Sequence, residues 1–267
     1  MSLAQLNGHR ASSAELAPLA FAGYAHFTAM QVRGGKVRGL DLHLARLRHA
    51  CLALFGQAMP DAALLAHLRA ALQDSPADCS LTATLSCPAG EFAVAAASAM
   101  PQLLVRTGPP SDGPPGPLRL LAVEHERMLP SIKHVGEIAK TYYLREAARQ
   151  GLDDAVFLDR EGRLSEGTIW NLAFWDGQAV VWPVAAMLAG TTMAIVRRQL
   201  ERLGVPQREQ EMRLADVAGM AGAVVMNSWT PGVPVTRIGA IDLPPAPAPA
   251  FLALLRRAYE AEALLLP

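Results

Sequence analysis

One proline-rich segment limits how this chain can fold more than any other feature does. Residues 109–117 read PPSDGPPGP, which places five prolines and two glycines in nine positions. Proline fixes φ and lacks the amide hydrogen that a helix interior or a central strand needs, so the segment is predicted to be a loop. Because 267 residues suffice for two domains, we predict one domain at residues 1–112 and another at residues 113–267.

Helix and strand patterns alternate on both sides of this loop. Leu44, Leu47, Cys51 and Leu54 lie on one face of a predicted helix, which Gly56 would end. An Asp-Gly pair between two apolar runs, at residues 176–177, predicts a hairpin. The mixture predicts an α/β (α+β) fold with two domains and antiparallel strand pairing. Further strands are predicted at residues 81–87, 91–98, 102–107, 118–126, 153–159 and 222–228, and further helices at residues 139–150, 196–203 and 250–266.

The charge balance and the cysteines restrict the class of protein. Twenty-four basic residues match 24 acidic residues without a long run of either sign, which argues against a general nucleic-acid or membrane-surface binder. The cysteines, Cys51, Cys79 and Cys87, are odd in number and form no CxxC, so we expect a reducing compartment. With no apolar leader and no run of roughly 18 apolar residues, a cytoplasmic protein is expected.

Several common catalytic motifs are absent from the sequence. It contains no GxGxxG or GxxxxGK[ST] loop for dinucleotides or nucleotide phosphates, and no GxSxG motif for a nucleophilic serine. It has neither HExxH nor a paired Cys/His cluster, so no catalytic metal is expected. Covalent chemistry at a lysine is therefore worth testing.

An ordered set of motifs supports that possibility. A lysine in the context Pro-Ser-Ile-Lys-His is followed by a helix that ends near Gly151, a strand with an acidic turn, the pair Glu166-Gly167 and then Asn171. This order resembles the core of class IV (fold-type IV) pyridoxal-phosphate enzymes, which include branched-chain and D-amino-acid aminotransferases and aminodeoxychorismate lyases. Segments on both sides are similar to the same family, at residues 7–10, 26–37, 43–56, 187–200 and 227–235.

The resemblance implies a two-domain fold, with a smaller N-terminal α/β domain and a larger C-terminal mixed-sheet domain. It also implies pyridoxal 5'-phosphate bound to Lys133 as an imine, small amino and keto substrates, and a homodimer. Lys140 competes for the role of the imine lysine, but the context and the spacing back from Gly151 match Lys133. Both lysines could instead be ordinary surface residues.

Other residues match the family's cofactor contacts. Glu166 would keep a proton on the pyridine nitrogen, and the forked guanidinium of Arg46 would bind the phosphate. Thr191 and Thr192 lie at a predicted helix start, where free backbone N–H groups attract anions. Ser228 would add a hydroxyl. Taken singly, these residues are also consistent with a turn carboxylate, a solvated helix arginine and helix N-caps. The expected cofactor-binding residues are Lys133, Glu166, Arg46, Thr191, Thr192, Ser228 and Asn171.

The expected substrate pocket departs from the family pattern. Gly136 stands where an asparagine is usual, Met193 replaces an arginine, and Gly23-Tyr24-Ala25 replaces a Gly-Asp-Gly. These changes bear on the identity of the substrate more than on that of the cofactor. Aromatic or bulky substrates would suit the remaining side chains, which are equally reasonable as core residues. The expected pocket residues are Tyr24, His26, Phe27, Thr28 and Trp229.

Three functions follow from the resemblance. The changed pocket favours an aminotransferase of unassigned substrate, with Lys133 as the base at the substrate's α carbon. Phe27-Thr28, His134 and the segment at residues 227–235 favour a 4-amino-4-deoxychorismate lyase, which releases pyruvate and 4-aminobenzoate. A non-catalytic protein that binds the cofactor is the third possibility, because a fold does not dictate a function. A plain α/β domain without the cofactor also stays open.

Overall fold

A computed structural model describes residues 3–88, 100–244 and 249–267. The strand predicted at residues 91–98 lies outside these ranges. The chain divides into two compact units. The first unit comprises Met1–Ser111, Ile132–Gly136 and Ala263–Pro267, and the second comprises Asp112–Ser131 and Glu137–Glu262. The first unit therefore includes two short segments that follow residue 112 in the sequence.

The described elements are numbered in chain order. The strands are β1 (Leu3–Leu6), β2 (His9–Arg10), β3 (Ala25–Val32), β4 (Val37–Arg38), β5 (Cys79–Ser86), β6 (Gln102–Gly108), β7 (Leu118–Glu124), β8 (Asp154–Leu158), β9 (Leu164–Gly167), β10 (Asn171–Trp175), β11 (Val180–Pro183), β12 (Gln207–Gln210), β13 (Gly222–Asn227), β14 (Thr230–Ile238), β15 (Ile241–Asp242) and β16 (Leu264–Leu265). The helices are α1 (Ser13–Leu16), α2 (Leu40–Phe55), α3 (Asp61–Gln73), α4 (Ile138–Arg149), α5 (Thr191–Arg202), α6 (Leu214–Val217) and α7 (Pro249–Glu260), with a 3₁₀ helix at Ala17–Phe21.

The first unit is an antiparallel sheet with helices packed on it. The strand order is β2-β1-β6-β5-β3, and a separate two-stranded pair joins β16 to β4. The predicted face of α2 is confirmed, since Leu47 and Cys51 are buried in the core of this unit and Leu44 and Leu54 pack against it. Helix α2 ends at Gly56 with φ 72°, a left-handed conformation that glycine adopts without steric cost.

The second unit contains a mixed sheet of nine strands. The order is β12-β11-β10-β13-β14-β7-β8-β9, with β15 against β14 and a further pairing of β9 with β10. Strands β7 and β8 are parallel, and α4 provides the long connection that parallel neighbours need. Since β9 pairs with both β8 and β10, the sheet curves back on itself and brings the ends of these strands together.

The C-terminal helix differs from its predicted bounds. The C-terminal helix ends at Glu260, not near residue 266, and Leu264–Leu265 form β16. Apolar residues near a chain end suit an edge pairing as well as a helix, so the pattern alone does not separate them. The predicted loop at residues 109–117 is confirmed, because β6 ends at Gly108 and β7 begins at Leu118. Within the described ranges, none of the helices has the length and apolar character needed to cross a membrane.

Candidate active site

Lys133 lies in a short segment of the first unit that pairs with the start of β3. The Phe27 N–H donates to the Lys133 carbonyl at 2.8 Å, and the Val135 N–H donates to the Ala25 carbonyl at 2.9 Å. The Lys133 Nζ atom lies 4.8 Å from the centroid of the Phe27 ring, which is cation–π distance. Lys133 is half-buried. Backbone pairing therefore places this lysine against one residue of the expected substrate pocket.

The other expected pocket residues of the first unit face different partners. The Tyr24 hydroxyl donates to the Leu54 carbonyl at 3.0 Å, although the residue is 45% exposed. His26 and Thr28 are fully buried. His26 Nε2 hydrogen bonds with Cys51 Sγ at 3.2 Å, and Thr28 Oγ1 hydrogen bonds with His43 Nδ1 at 2.6 Å. Both side chains are thus enclosed by core contacts of this unit.

Burial lowers the pKa values of the two histidines in this core. It lowers the pKa of His26 to about 4, and burial together with the Arg46 guanidinium lowers the pKa of His43 to about 3. Both imidazoles are therefore neutral at pH 7. Arg46 itself is half-buried in the middle of α2, and its positive charge acts on His43.

The folded protein should lose stability when the pH falls below 6.5. The unfolded chain takes up protons at the ordinary histidine pKa, whereas folded His26 takes one up only near pH 4. Each such histidine should therefore lower the free energy of unfolding by about 2 kcal/mol between pH 7 and pH 5. Chemical denaturation of His26→Gln should show a smaller loss over this range, with His49→Gln at an exposed site as the control. An equal loss of unfolding free energy in wild type and His26→Gln would contradict the lowered pKa of His26.

A cluster of four charged side chains lies inside the second unit. Glu166 on β9 is 4% exposed at its side chain, and its Oε1 atom lies 3.2 Å from the guanidinium of Arg127, which is 2% exposed. The Arg127 Nε atom donates to Glu137 Oε1 at 2.7 Å. Lys140 Nζ lies 3.7 Å from Glu166 Oε2 and 3.8 Å from Glu137 Oε2. Two carboxylates and two cations therefore balance in a place that largely excludes water.

Most of this cluster was not predicted. Glu166 was expected, and Lys140 was considered only as a competitor for the imine, whereas Arg127 and Glu137 carried no signal in the sequence. Glu137 is the residue before α4, and Lys140 lies in the first turn of that helix. Burial lowers the pKa of Lys140, although the neighbouring carboxylates oppose this effect. The lysine therefore loses its proton more easily than an exposed one.

Asn171 connects the buried carboxylate with a helix N-terminus. It lies directly opposite Glu166 in the antiparallel pair of β9 and β10, so both side chains are on the same face of the sheet. Its Nδ2 atom donates to the Leu188 carbonyl at 2.7 Å. A Cβ atom on Gly190 would collide with the Oδ1 atom of Asn171, so only glycine permits this approach. Gly190 is the N-cap of α5, and it has no side chain to cap the helix.

The start of α5 has the properties of an anion site. Thr191 and Thr192 are buried at 6% and 3% exposure. The first N–H groups of a helix have no partner within it and carry partial positive charge. A buried carboxylate and the N-terminus of a 12-residue helix are therefore linked through Asn171.

Replacement of Gly190 by alanine should destabilise this arrangement. The new methyl group would displace the Asn171 side chain and break its bond to Leu188, which should lower the free energy of unfolding by about 2 kcal/mol. Chemical denaturation measures the change. Gly219→Ala is the matched control, because a Cβ there meets only the Asp216 carbonyl at an ordinary 3.6 Å. Equal stability of the two variants would show that the Asn171 contact is not needed.

Ser228 and Trp229 lie in the turn between β13 and β14. Ser228 is half-buried, and Trp229 is 39% exposed. Trp229 packs edge-to-face on Trp170 at 6.0 Å between ring centroids. The Trp170 indole N–H donates to Asp154 Oδ2 at 2.8 Å, and the Thr168 hydroxyl donates to Asp154 Oδ1 at 2.6 Å. A buried aspartate thus fixes the ring that supports Trp229.

The structure groups the expected site residues by unit. The first unit contains Lys133, Arg46, Tyr24, His26, Phe27 and Thr28, and the second contains Glu166, Asn171, Thr191, Thr192, Ser228 and Trp229. Within the second unit, Glu166, Asn171 and the α5 terminus are adjacent, and Arg127, Glu137 and Lys140 join them. No cluster of His, Cys, Asp or Glu suited to a metal ion occurs in the described parts of the chain.

Proteins of known family resemble this chain. A curated relative from Rickettsia felis, named "Probable branched-chain-amino-acid aminotransferase", is 30% identical over 100 residues, which are 37% of this chain and 33% of the relative. The crystal structure of 4-amino-4-deoxychorismate lyase from Pseudomonas aeruginosa has a TM-score of 0.79 at 24% identity, over 94% of this chain and 97% of that one. A hypothetical aminotransferase from Mycobacterium tuberculosis in its PLP-bound form has a TM-score of 0.79 at 20% identity, over 96% and 98%.

These structural matches confirm the predicted two-domain fold of the fold-type IV enzymes. The sequence profile of the amino-transferase class IV family matches residues 25–238, most of the chain, so the predicted resemblance is confirmed as well. The order of Lys133, Glu166 and Asn171 lies wholly within that match. This chain therefore belongs to the amino-transferase class IV family.

Proposed function

We propose that this protein is a pyridoxal 5'-phosphate-dependent aminotransferase, which transfers an amino group between an amino acid or amine and a keto acid. The observation that carries the proposal is the position of the buried Glu166 carboxylate beside the N-terminus of α5. A cationic nitrogen and a phosphate would each find a partner of opposite charge there. Family membership supports the same cofactor.

The residues of the second unit fit the two ends of such a cofactor. Glu166 would accept the proton of the pyridine nitrogen, and the N–H groups at the start of α5, with the Thr191 and Thr192 hydroxyls, would bind the phosphate. Asn171 keeps the helix start close to Glu166. Arg46 and Ser228 are proposed as further phosphate contacts. The cofactor supplies an electron sink for the bonds at the substrate's α carbon.

The distance between Lys140 and Glu166 helps to assign the covalent lysine. On a pyridoxal ring, the aldehyde carbon lies opposite the nitrogen. An amine joined to that carbon is therefore a ring's width away from a carboxylate on the nitrogen. Lys140 Nζ lies only 3.7 Å from Glu166 Oε2, which is ion-pair distance. We therefore assign the covalent role to Lys133 and an electrostatic role to Lys140.

The chain's own groups would then carry the proton transfers. When it is not bonded to the cofactor, the Lys133 Nζ atom would take the proton from the substrate's α carbon and deliver it to the carbon on the far side of the imine nitrogen, two bonds away. The Phe27 ring beside this nitrogen excludes water on one side. Tyr24, Phe27 and Trp229 are the partly exposed members of the proposed pocket and suit an aromatic or bulky substrate.

A second function shares the removal of a proton by Lys133 but then expels pyruvate instead of transferring the amino group. Phe27-Thr28, His134 and the segment at residues 227–235 support such a lyase, which would release pyruvate and 4-aminobenzoate. The same fold could also bind the cofactor without turnover. The structural matches lie below 25% identity, so they support the fold equally for all three.

One experiment separates these functions. The purified protein is loaded with pyridoxal 5'-phosphate and mixed with L- and D-amino acids in turn while its visible spectrum is followed. An aminotransferase converts the cofactor to its aminated form with at least one donor. Release of 4-aminobenzoate from aminodeoxychorismate identifies the lyase, and an unchanged spectrum with every substrate identifies a binding protein. A protein that takes up no cofactor contradicts the whole proposal.

The proposal includes a cytoplasmic homodimer. The homodimer is supported by exposed apolar side chains at the start of α4 and in the loop before it: Met128 at 80%, Ile138 at 86% and Tyr142 at 56% exposure. Ile138 and Tyr142 are four residues apart and share one helix face. Such a patch is typical of a protein contact. Light scattering should give twice the 28.4 kDa mass of one chain.

A further inference from the structure

The charges of the four clustered residues in the second unit already balance before any cofactor binds. Glu137 and Glu166 carry two negative charges, and Arg127 and Lys140 carry two positive charges. A pyridoxal ring that binds Glu166 through its protonated nitrogen adds a third positive charge. In a region where Arg127 and Glu166 are almost fully buried, an uncompensated charge is costly.

Only one cation of this cluster can change its charge readily. Arginine stays protonated in proteins, and Arg127 is further bound by Glu137 at 2.7 Å. Lys140 forms ion pairs with its carboxylates at 3.7 and 3.8 Å, which are longer than the 2.7 Å contact of Arg127 with Glu137. Burial of Lys140 already favours its neutral form. Its charged and titratable neighbours are Glu137, Glu166, Arg127 and His125.

We propose that Lys140 is a positioning residue that acts as a displaceable counter-ion. Its ammonium group holds the Glu166 carboxylate in place before the cofactor binds. It loses its proton to water, and with it its charge, when the ring nitrogen takes the same carboxylate. This inference rests on the proposed function, because it assumes that Glu166 receives the ring nitrogen.

Two substitutions of Lys140 should change the affinity for the cofactor in opposite directions. Lys140→Met leaves the cluster with a net negative charge, so the apoprotein should bind pyridoxal 5'-phosphate about tenfold more tightly than wild type does. Lys140→Arg keeps a cation that cannot lose its proton, so binding should weaken by about tenfold. A purely structural role would weaken binding in both variants. Lys140→Gln provides a second neutral variant and should tighten binding as the methionine does.

The measurement is an equilibrium titration of each apoprotein, followed by tryptophan fluorescence. A cofactor analogue with carbon in place of the ring nitrogen is titrated in parallel. Its dissociation constant should not follow the pattern of the substitutions, because it brings no positive charge to Glu166. Lys36→Met is the matched control at an exposed lysine of the first unit. It should bind both compounds as wild type does.

Each outcome has one meaning. Tighter binding in the neutral variants and weaker binding in Lys140→Arg, for the natural cofactor alone, supports the inference. A change in the same direction for all three variants, or an equal change for the analogue, overturns it and leaves the proposed function intact. Wild-type protein that binds neither compound overturns the proposed function and this inference together.

Discussion

Lys133→Ala protein should bind pyridoxal 5'-phosphate without a covalent link, and its amino transfer should fall by at least about a thousandfold. On the proposed assignment, removal of the Lys133 amine takes away both the nucleophile for the cofactor and the base for the substrate's α carbon. The fall should appear in single-turnover measurements of cofactor amination. Circular dichroism should remain unchanged, because the segment pairs with β3 through backbone atoms, not through the lysine side chain.

Peptide mapping locates the covalent lysine directly. The chain has only three lysines, Lys36, Lys133 and Lys140, so borohydride reduction followed by trypsin gives an unambiguous pattern. Reduction at Lys133 should block cleavage there and leave residues 128–140 as one peptide that carries the cofactor. A labelled peptide of residues 134–145 would place the bond at Lys140 instead. That result would contradict both the Lys133 assignment and the counter-ion role of Lys140.

Glu166→Gln should have the second-largest effect, on stability as well as on turnover. Removal of this charge leaves Arg127 and Lys140 with Glu137 as the one remaining carboxylate of the cluster, in a largely buried place. Loss of one partner from a buried ion pair costs about 3 kcal/mol, because an uncompensated charge remains inside. Chemical denaturation of the apoprotein should show a loss of that size. Turnover should fall by about a hundredfold, because the ring nitrogen loses the carboxylate that keeps it protonated.

The control for this variant is an exposed glutamate in an ion pair of its own. Glu161 pairs with Arg163 at 3.1 Å, and its side chain is 60% exposed. Surface pairs of this kind contribute about 0–1 kcal/mol, so Glu161→Gln should remain close to wild type in both measurements. If Glu166→Gln were as stable and as active as Glu161→Gln, the buried cluster would have no role in the site.

Local sequence patterns predicted most of the secondary structure. Gly56 and Gly151 lie just beyond the ends of α2 and α4, at φ 72° and 71°, where the chain needs a left-handed residue. The Asp176-Gly177 pair stands between β10 and β11, as a turn between two apolar runs should. These elements follow from the conformational preferences of residues that are close together in the chain.

Individual site residues were predictable only where a motif included them. Lys133, Glu166 and Asn171 belong to an ordered motif set, and the family match confirms the resemblance without testing their roles. For His26 and Thr28, the sequence did not reveal the partners that the structure shows. Both are buried and hydrogen-bonded within the core of the first unit, and their place in the substrate pocket stays a prediction. A short polar pattern on a strand does not reveal what packs on its two faces.

The sequence by itself determined the family, the alternation of helices and strands, the loop at residues 109–117 and the candidate lysine, because each depends on spacing along the chain. Only the tertiary structure decided that Arg127, Glu137 and Lys140 surround Glu166, and that Asn171 brings the start of α5 to the same place. The physical reason is that ion pairs and close packing between distant segments depend on how the sheet curves. No periodicity in the sequence encodes the distance between two side chains that come together when the sheet curves.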